Sequence, residues 1–156
     1  MKTKKVIAIV AHDNRKKDMM EFVAYNWHEF LPHRLVCTGT TGKLVQEALE
    51  KKCAAGDVTI PEVVRLKSGP LGGDQQLGAM IAEQKVDMMI FFWDPMEPQP
   101  HDVDVKALLR ISALYNIPTA TNRSTADFMI SSRLFQEQYT PILKDYSGYI
   151  RRSVQI

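Results

Sequence analysis

The chain has 156 residues, 45% hydrophobic and 24% charged, with a formal net charge of +2. That length fits one domain, expected to cover residues 1–156, and folding buries about two thirds of the unfolded surface without a metal or disulfide staple. A charge this small makes no case for nucleic acid or an anionic membrane as partner. Partners have to be inferred from local sites.

The two cysteines, Cys37 and Cys53, form no CxxC pattern and lie in apolar or helical contexts, which predicts buried thiols in a reducing compartment. Lys2, Lys4 and Lys5 precede the apolar run VIAIVA, which then meets His12 and Asp13. Such a run is too short for a signal peptide or a membrane span and reads as a buried strand. A cytoplasmic location is expected.

The elements alternate. A strand over 6–11 leads through HDN into an amphipathic helix over about 15–31, with Met19, Phe22, Val23, Asn26 and Phe30 at helical spacing and Asp13 or Asn14 as its cap. A strand over 34–37 enters TGTTG and a helix over 42–55. A third strand, 62–66, delivers SGPLGGDQQ and a helix ending near Lys85. The unbroken run MMIFF reads as a central parallel strand buried on both faces. The loop WDPMEPQPHD precedes a helix over 103–115 with Val105, Leu108, Leu109 and Ser112 on its inner side, and IPTATN gives a short fifth strand. One more helix starts at 125–130. In the tail, PIL is a candidate strand and 146–154 a candidate helix.

This pattern predicts an α/β fold: a single-domain three-layer sandwich around a mainly parallel, five-stranded Rossmann-like sheet with right-handed crossovers. Ligands bind at the carboxyl ends of parallel strands. HDN, TGTTG, SGPLGGDQQ, WDPMEPQPHD and TNRST all fall there.

Three loops carry candidate chemistry. In SGPLGGDQQ, Gly69, Gly72 and Gly73 let backbone approach a ligand, and Asp74 follows as either a helix cap or a site carboxylate. In TGTTG, Thr38, Gly39, Thr40 and Thr41 offer hydroxyls and free N–H groups to a phosphate, or simply cap a helix. The loop matches neither GxGxxG nor a P-loop, which counts against a dinucleotide and against a nucleotide triphosphatase. Lys16 is within reach of the same anion. Between 93 and 104, three prolines stiffen a loop holding Asp94, His101, Asp102 and Asp104. His101 suits a donor to a carbonyl, and Asp104 its orienting partner or a second acid. A metal is the rival reading, weakened by the lack of a second nearby histidine or any Cys cluster, so neither metal nor cofactor is expected. His12 faces the same crevice in a parallel sheet.

These stretches together resemble methylglyoxal synthase over nearly the whole chain, from IVAHD through TGTTG, SGPLGGDQQ, IFFWDPMEPQPHDVDVKALLR, IPTATN and TADF to KDY. The resemblance implies a metal-independent, homohexameric lyase that converts dihydroxyacetone phosphate to methylglyoxal and inorganic phosphate, with phosphate as an inhibitor. It implies Asp74 as catalytic base, assisted by His101 and Asp104. His12, Lys16, Thr38 to Thr41, Ser68 and Gly69 would hold the substrate, and Asp13 and Asp94 match further acids near the site. The family can carry an arginine near its C-terminus for a neighbouring subunit's phosphate site; here Ser153 stands at that position, just after Arg151 and Arg152. The rival readings are a phosphate-ligand-binding regulatory module and a sugar-phosphate isomerase.

Overall fold

The structure is a computed structural model describing residues 4–155; Lys2 and the outermost ends of the expected 1–156 domain lie outside the described residues. Its elements in chain order are β1 (Val6–Ala11), α1 (Lys16–Tyr25), α2 (Trp27–Phe30), β2 (Arg34–Cys37), α3 (Gly39–Ala55), β3 (Val63–Arg65), α4 (Gly73–Ala82), β4 (Met88–Phe92), α5 (Asp102–Leu114), β5 (Thr119–Ala120), α6 (Arg123–Ser131), α7 (Arg133–Gln136) and α8 (Ser147–Ile150). The five strands form one sheet in the order β3-β2-β1-β4-β5. Every pairing is parallel, as in Ile7 with Leu35 and Ile7 with Met88.

Successive side chains of a strand point to opposite faces, and the core divides accordingly. Ile7, Ile9, Ile90 and Phe92 pack with Met19, Phe22, Val23, Val45, Leu49 and Ala126 on one face. Ala8, Val10, Met89 and Phe91 pack with Leu77, Ile81, Val105 and Leu108 on the other. This is the expected three-layer sandwich, with β4 buried along its whole length. Cys37 and Cys53 are free and buried, and burial pushes the Cys37 thiol up to about 12.

Strand order reverses between β1 and β4. The chain first lays β2 and β3 on one side of β1, then β4 and β5 on the other, so a crevice opens between the carboxyl ends of the two central strands. Among the described residues, no helix is long and apolar enough to cross a membrane.

Several expected boundaries are corrected. The long first helix breaks at Asn26, whose Nδ2 donates to the Phe22 carbonyl and whose backbone leaves helical angles (φ −99°, ψ 19°). Neither Asp13 nor Asn14 caps it; His12 precedes a short 3₁₀ turn over Asp13–Arg15, and no side chain caps α1. Helix α3 begins at Gly39 rather than Gly42, so TGTTG forms its first turn. The PIL stretch is not a strand, the terminal helix shrinks to Ser147–Ile150, and α7 is an added turn capped by the Ser132 hydroxyl.

Candidate active site

The loop after β3 is shaped by its glycines. Gly72 has φ +104°, a left-handed conformation that L side chains rarely adopt, and caps α4. A Cβ on Gly73 would stand 1.9 Å from the Lys67 carbonyl oxygen, so only glycine lets the chain fold back there. The Gln76 side chain accepts from the Lys67 N–H (2.9 Å) and closes the loop. Asp74 is therefore not the cap. It is the second residue of α4, 4% exposed, with its carboxylate turned inward.

Facing it is His101, 8% exposed, held at the start of α5 where its carbonyl accepts from the Asp104 and Val105 N–H groups. His101 Nε2 lies 3.6 Å from Asp74 Oδ2, beyond hydrogen-bonding distance but inside charge-pairing range. Gly69 lies against both: a Cβ there would meet His101 Nε2 at 2.9 Å and Asp74 Oδ2 at 3.1 Å. Burial raises the Asp74 pKa; His101 opposes the shift and Asp104 adds to it. Asp104 itself is half-buried and stands outside the crevice wall, acting on Asp74 through its charge.

The crevice is small, about 90 Å³, and its walls bring together His12, Asp13, Lys16, Thr38, Gly39, Thr40, Thr41, Ser68, Gly69, Asp74 and His101, eleven residues singled out above from four separate loops. Thr41 Oγ1 donates to the Ala11 carbonyl (3.3 Å), tying the threonine turn to β1. Gly39, at φ +43°, donates its N–H to the Leu66 and Lys67 carbonyls (3.2 and 3.1 Å) and packs directly on Ser68. That leaves the Thr40 and Thr41 amides, in the first turn of α3, as the backbone donors open to an anion. Lys16 pairs with Asp13 across the mouth, which holds the Asp13 carboxyl below its ordinary range.

Three buried polar atoms of these walls have no hydrogen-bond partner: Asp74 Oδ2, His101 Nδ1 and His12 Nε2. Burial of such atoms is costly unless a ligand completes them. Asp94 differs. Its Oδ2 accepts from Asn14 Nδ2 (3.0 Å) and its Oδ1 from the Met96 N–H (3.1 Å), which lowers its pKa and keeps it out of the crevice wall. Val10, Ala11, Pro70 and Gln99 complete the wall, and of these Gln99 is the polar side chain that the sequence did not single out. The available signal was Gln99's place between two prolines, two residues before His101. Among the described residues, no group of three or more His, Cys, Asp or Glu is placed to hold a metal ion.

A parallel α/β sheet with an anion-sized cradle and a buried carboxylate–imidazole pair at its switch point places the chain among MGS-like domains, whose family model matches residues 18–121. The methylglyoxal synthase of Maridesulfovibrio salexigens is 57% identical over 96% of this chain and 98% of the relative, and that of Proteus mirabilis 49% identical over 98% and 94%. The crystal structure of methylglyoxal synthase from Elizabethkingia anophelis superposes with a TM-score of 0.85 at 47% identity, covering 97% of this chain and 93% of that one. The chain belongs to the methylglyoxal synthase family.

Proposed function

We propose that the chain is a lyase converting dihydroxyacetone phosphate to methylglyoxal and inorganic phosphate. The observation that carries this reading is the convergence of Asp74 Oδ2, His101 Nδ1 and His12 Nε2, all buried and unpartnered, beside a first-turn anion cradle. Asp74 takes a proton from the hydroxymethyl carbon beside the ketone. The electrons left behind form the enediolate, and collapse of that enediolate breaks the carbon–oxygen bond to phosphate. The resulting enol tautomerises to methylglyoxal, gaining a proton on its terminal carbon as it loses the one on its oxygen, and the proton taken by Asp74 leaves with the phosphate.

An ordinary carboxylate, of pKa about 3.9, is weak for this task, and burial makes Asp74 a stronger base. His101 donates to the carbonyl oxygen and stabilises the enolate, an effect of about 2.7–4 kcal/mol for comparable donors. Asp104 assists by raising the Asp74 pKa. Thr38, Gly39, Thr40, Thr41, Ser68, Gly69 and Lys16 hold the phosphate so that its C–O bond stands perpendicular to the enediol plane, where it overlaps the π system. That torsion separates elimination from the reprotonation an isomerase would perform.

The same reading includes phosphate as a competing anion, a cytoplasmic setting and a homohexamer. Arg152 lies over the Tyr149 ring (3.8 Å) and donates to its hydroxyl (2.9 Å), which leaves Arg151 as the arginine for a neighbouring subunit's phosphate. Light scattering and Arg151→Ala phosphate titrations test both points.

Purified protein incubated with dihydroxyacetone phosphate, with and without chelator, should release methylglyoxal and phosphate in equal amounts. Chelator should leave the rate unchanged. Formation of an aldose phosphate would make it an isomerase, and binding without turnover a regulatory module.

A further inference from the structure

The structure assigns a positioning role to Asn14 and to the main chain of Asp94: together they hold His12 as the neutral tautomer that carries its proton on Nε2 and presents it to the crevice. The Asp94 N–H donates to His12 Nδ1 at 3.2 Å. Protonating Nδ1 would set two N–H groups against each other, so this bond exists only on a neutral ring whose proton sits on Nε2. His12 is 6% exposed and its Nε2 has no hydrogen-bond partner. The ring is fixed edge-on by Phe91 (centroids 5.2 Å apart, 84°) and stands 5.7 Å from the His101 ring.

The amide that selects the tautomer is itself held in place. Asp94 Oδ1 accepts from the Met96 N–H, which curls the loop after β4, and Oδ2 accepts from Asn14 Nδ2 in the turn after β1. Asn14 thus ties together the carboxyl ends of the two central strands at the point where the crevice opens. The carboxylate of Asp94, which the sequence offers as a further acid, forms this brace. Burial and the neighbouring His101 both lower the His12 pKa, against opposing pulls from Asp94 and Asp102; Asp13 and Lys16 are the other charges beside it on the crevice wall.

The tautomer does not depend on the reaction, whereas its effect on turnover rests on the function proposed above: His12 is a second N–H donor, for an enediolate oxygen that His101 does not reach. Long-range ¹H–¹⁵N correlation spectra of the substrate-free protein with labelled histidine test it, with His12 signals assigned from their loss in His12→Gln. At pH 7 Nε2 should carry the proton and Nδ1 should show an acceptor shift. Asn14 is exposed, so Asn14→Ala is expected to fold; it should mix the two tautomers, lower kcat about tenfold and leave KM within about twofold. Asp94→Asn retains the main-chain amide and a side chain able to bond Met96 and a flipped Asn14, so it should keep the Nε2–H spectrum. A proton on Nδ1, an imidazolium at pH 7, or an unchanged His12 spectrum in Asn14→Ala would overturn the assignment. A correct spectrum in a protein inert toward dihydroxyacetone phosphate would instead refute the reaction and leave the tautomer standing.

Discussion

The two ends of the central sheet differ in a way that cavity size does not reveal. At the amino ends of the strands lies a groove of about 490 Å³, walled by Lys5, Asp87, Met88, Pro118, Phe135 and Tyr139 among others. Two of its charged groups are engaged by the fold: Asp87 Oδ2 accepts from the Val6 N–H and Lys5 Nζ donates to the Glu137 carbonyl, both at 2.6 Å. At the carboxyl ends the crevice is about 90 Å³, yet it buries a carboxylate oxygen and two imidazole nitrogens without partners. Three such atoms on facing walls of one small crevice are what a ligand with its own donors and acceptors would complete.

That contrast can be broken by substitution at either end. The largest effect of the following three is expected from His101→Asn, which should lower kcat about 10²–10³-fold by removing a donor at the developing oxyanion. Initial rates and a pH profile would check it, and unchanged values would remove His101 from the polarising role. Gly69→Ala comes next. Its Cβ would fall 2.9 Å from His101 Nε2 and 3.1 Å from Asp74 Oδ2, and forcing the pair apart should reduce turnover about 10- to 100-fold with an unaltered circular dichroism spectrum. At the other end, Asp87→Ala should leave kcat as it is and lower stability by about 0.5–1.5 kcal/mol in urea unfolding, the ordinary value of one hydrogen bond. A loss of turnover there would erase the distinction between the two ends.

Much of this arrangement was legible in the chain. Strands β1, β2 and β4 were readable to the residue because apolar runs bounded by polar loops fix both ends. The crevice loops were legible for the same reason: parallel connectivity sends every strand's carboxyl end to one side. The break at Asn26 was hidden because apolar spacing continues across it, from Phe22 to Phe30. The start of α3 was misplaced because glycine at position 39 resembles a loop, whereas its positive φ serves to bring Ser68 close. Asp94 and Asn14 illustrate the limit. A sequence shows that a carboxylate is near, but its bonds to Asn14 and Met96 depend on how the β1 and β4 turns meet. Gln99 likewise becomes part of the wall only through the path of a proline-rich loop.

The base proposed for the reaction, Asp74, is a buried carboxylate held at a cost to stability. Burial raises its pKa above the ordinary 3.8, so its neutral form is the one the fold favours. Stability from this group is full below the ordinary value and is lost as pH rises through the folded one. The direct test is Asp74→Asn, measured for turnover and for thermal stability at pH 7 and at acid pH. Turnover should fall on the order of 10³-fold or more with phosphate affinity nearly unchanged, while the melting temperature rises at pH 7 and the gain shrinks toward acid. Turnover like that of the unsubstituted chain, or a loss of activity accompanied by a lower melting temperature at pH 7, would contradict it.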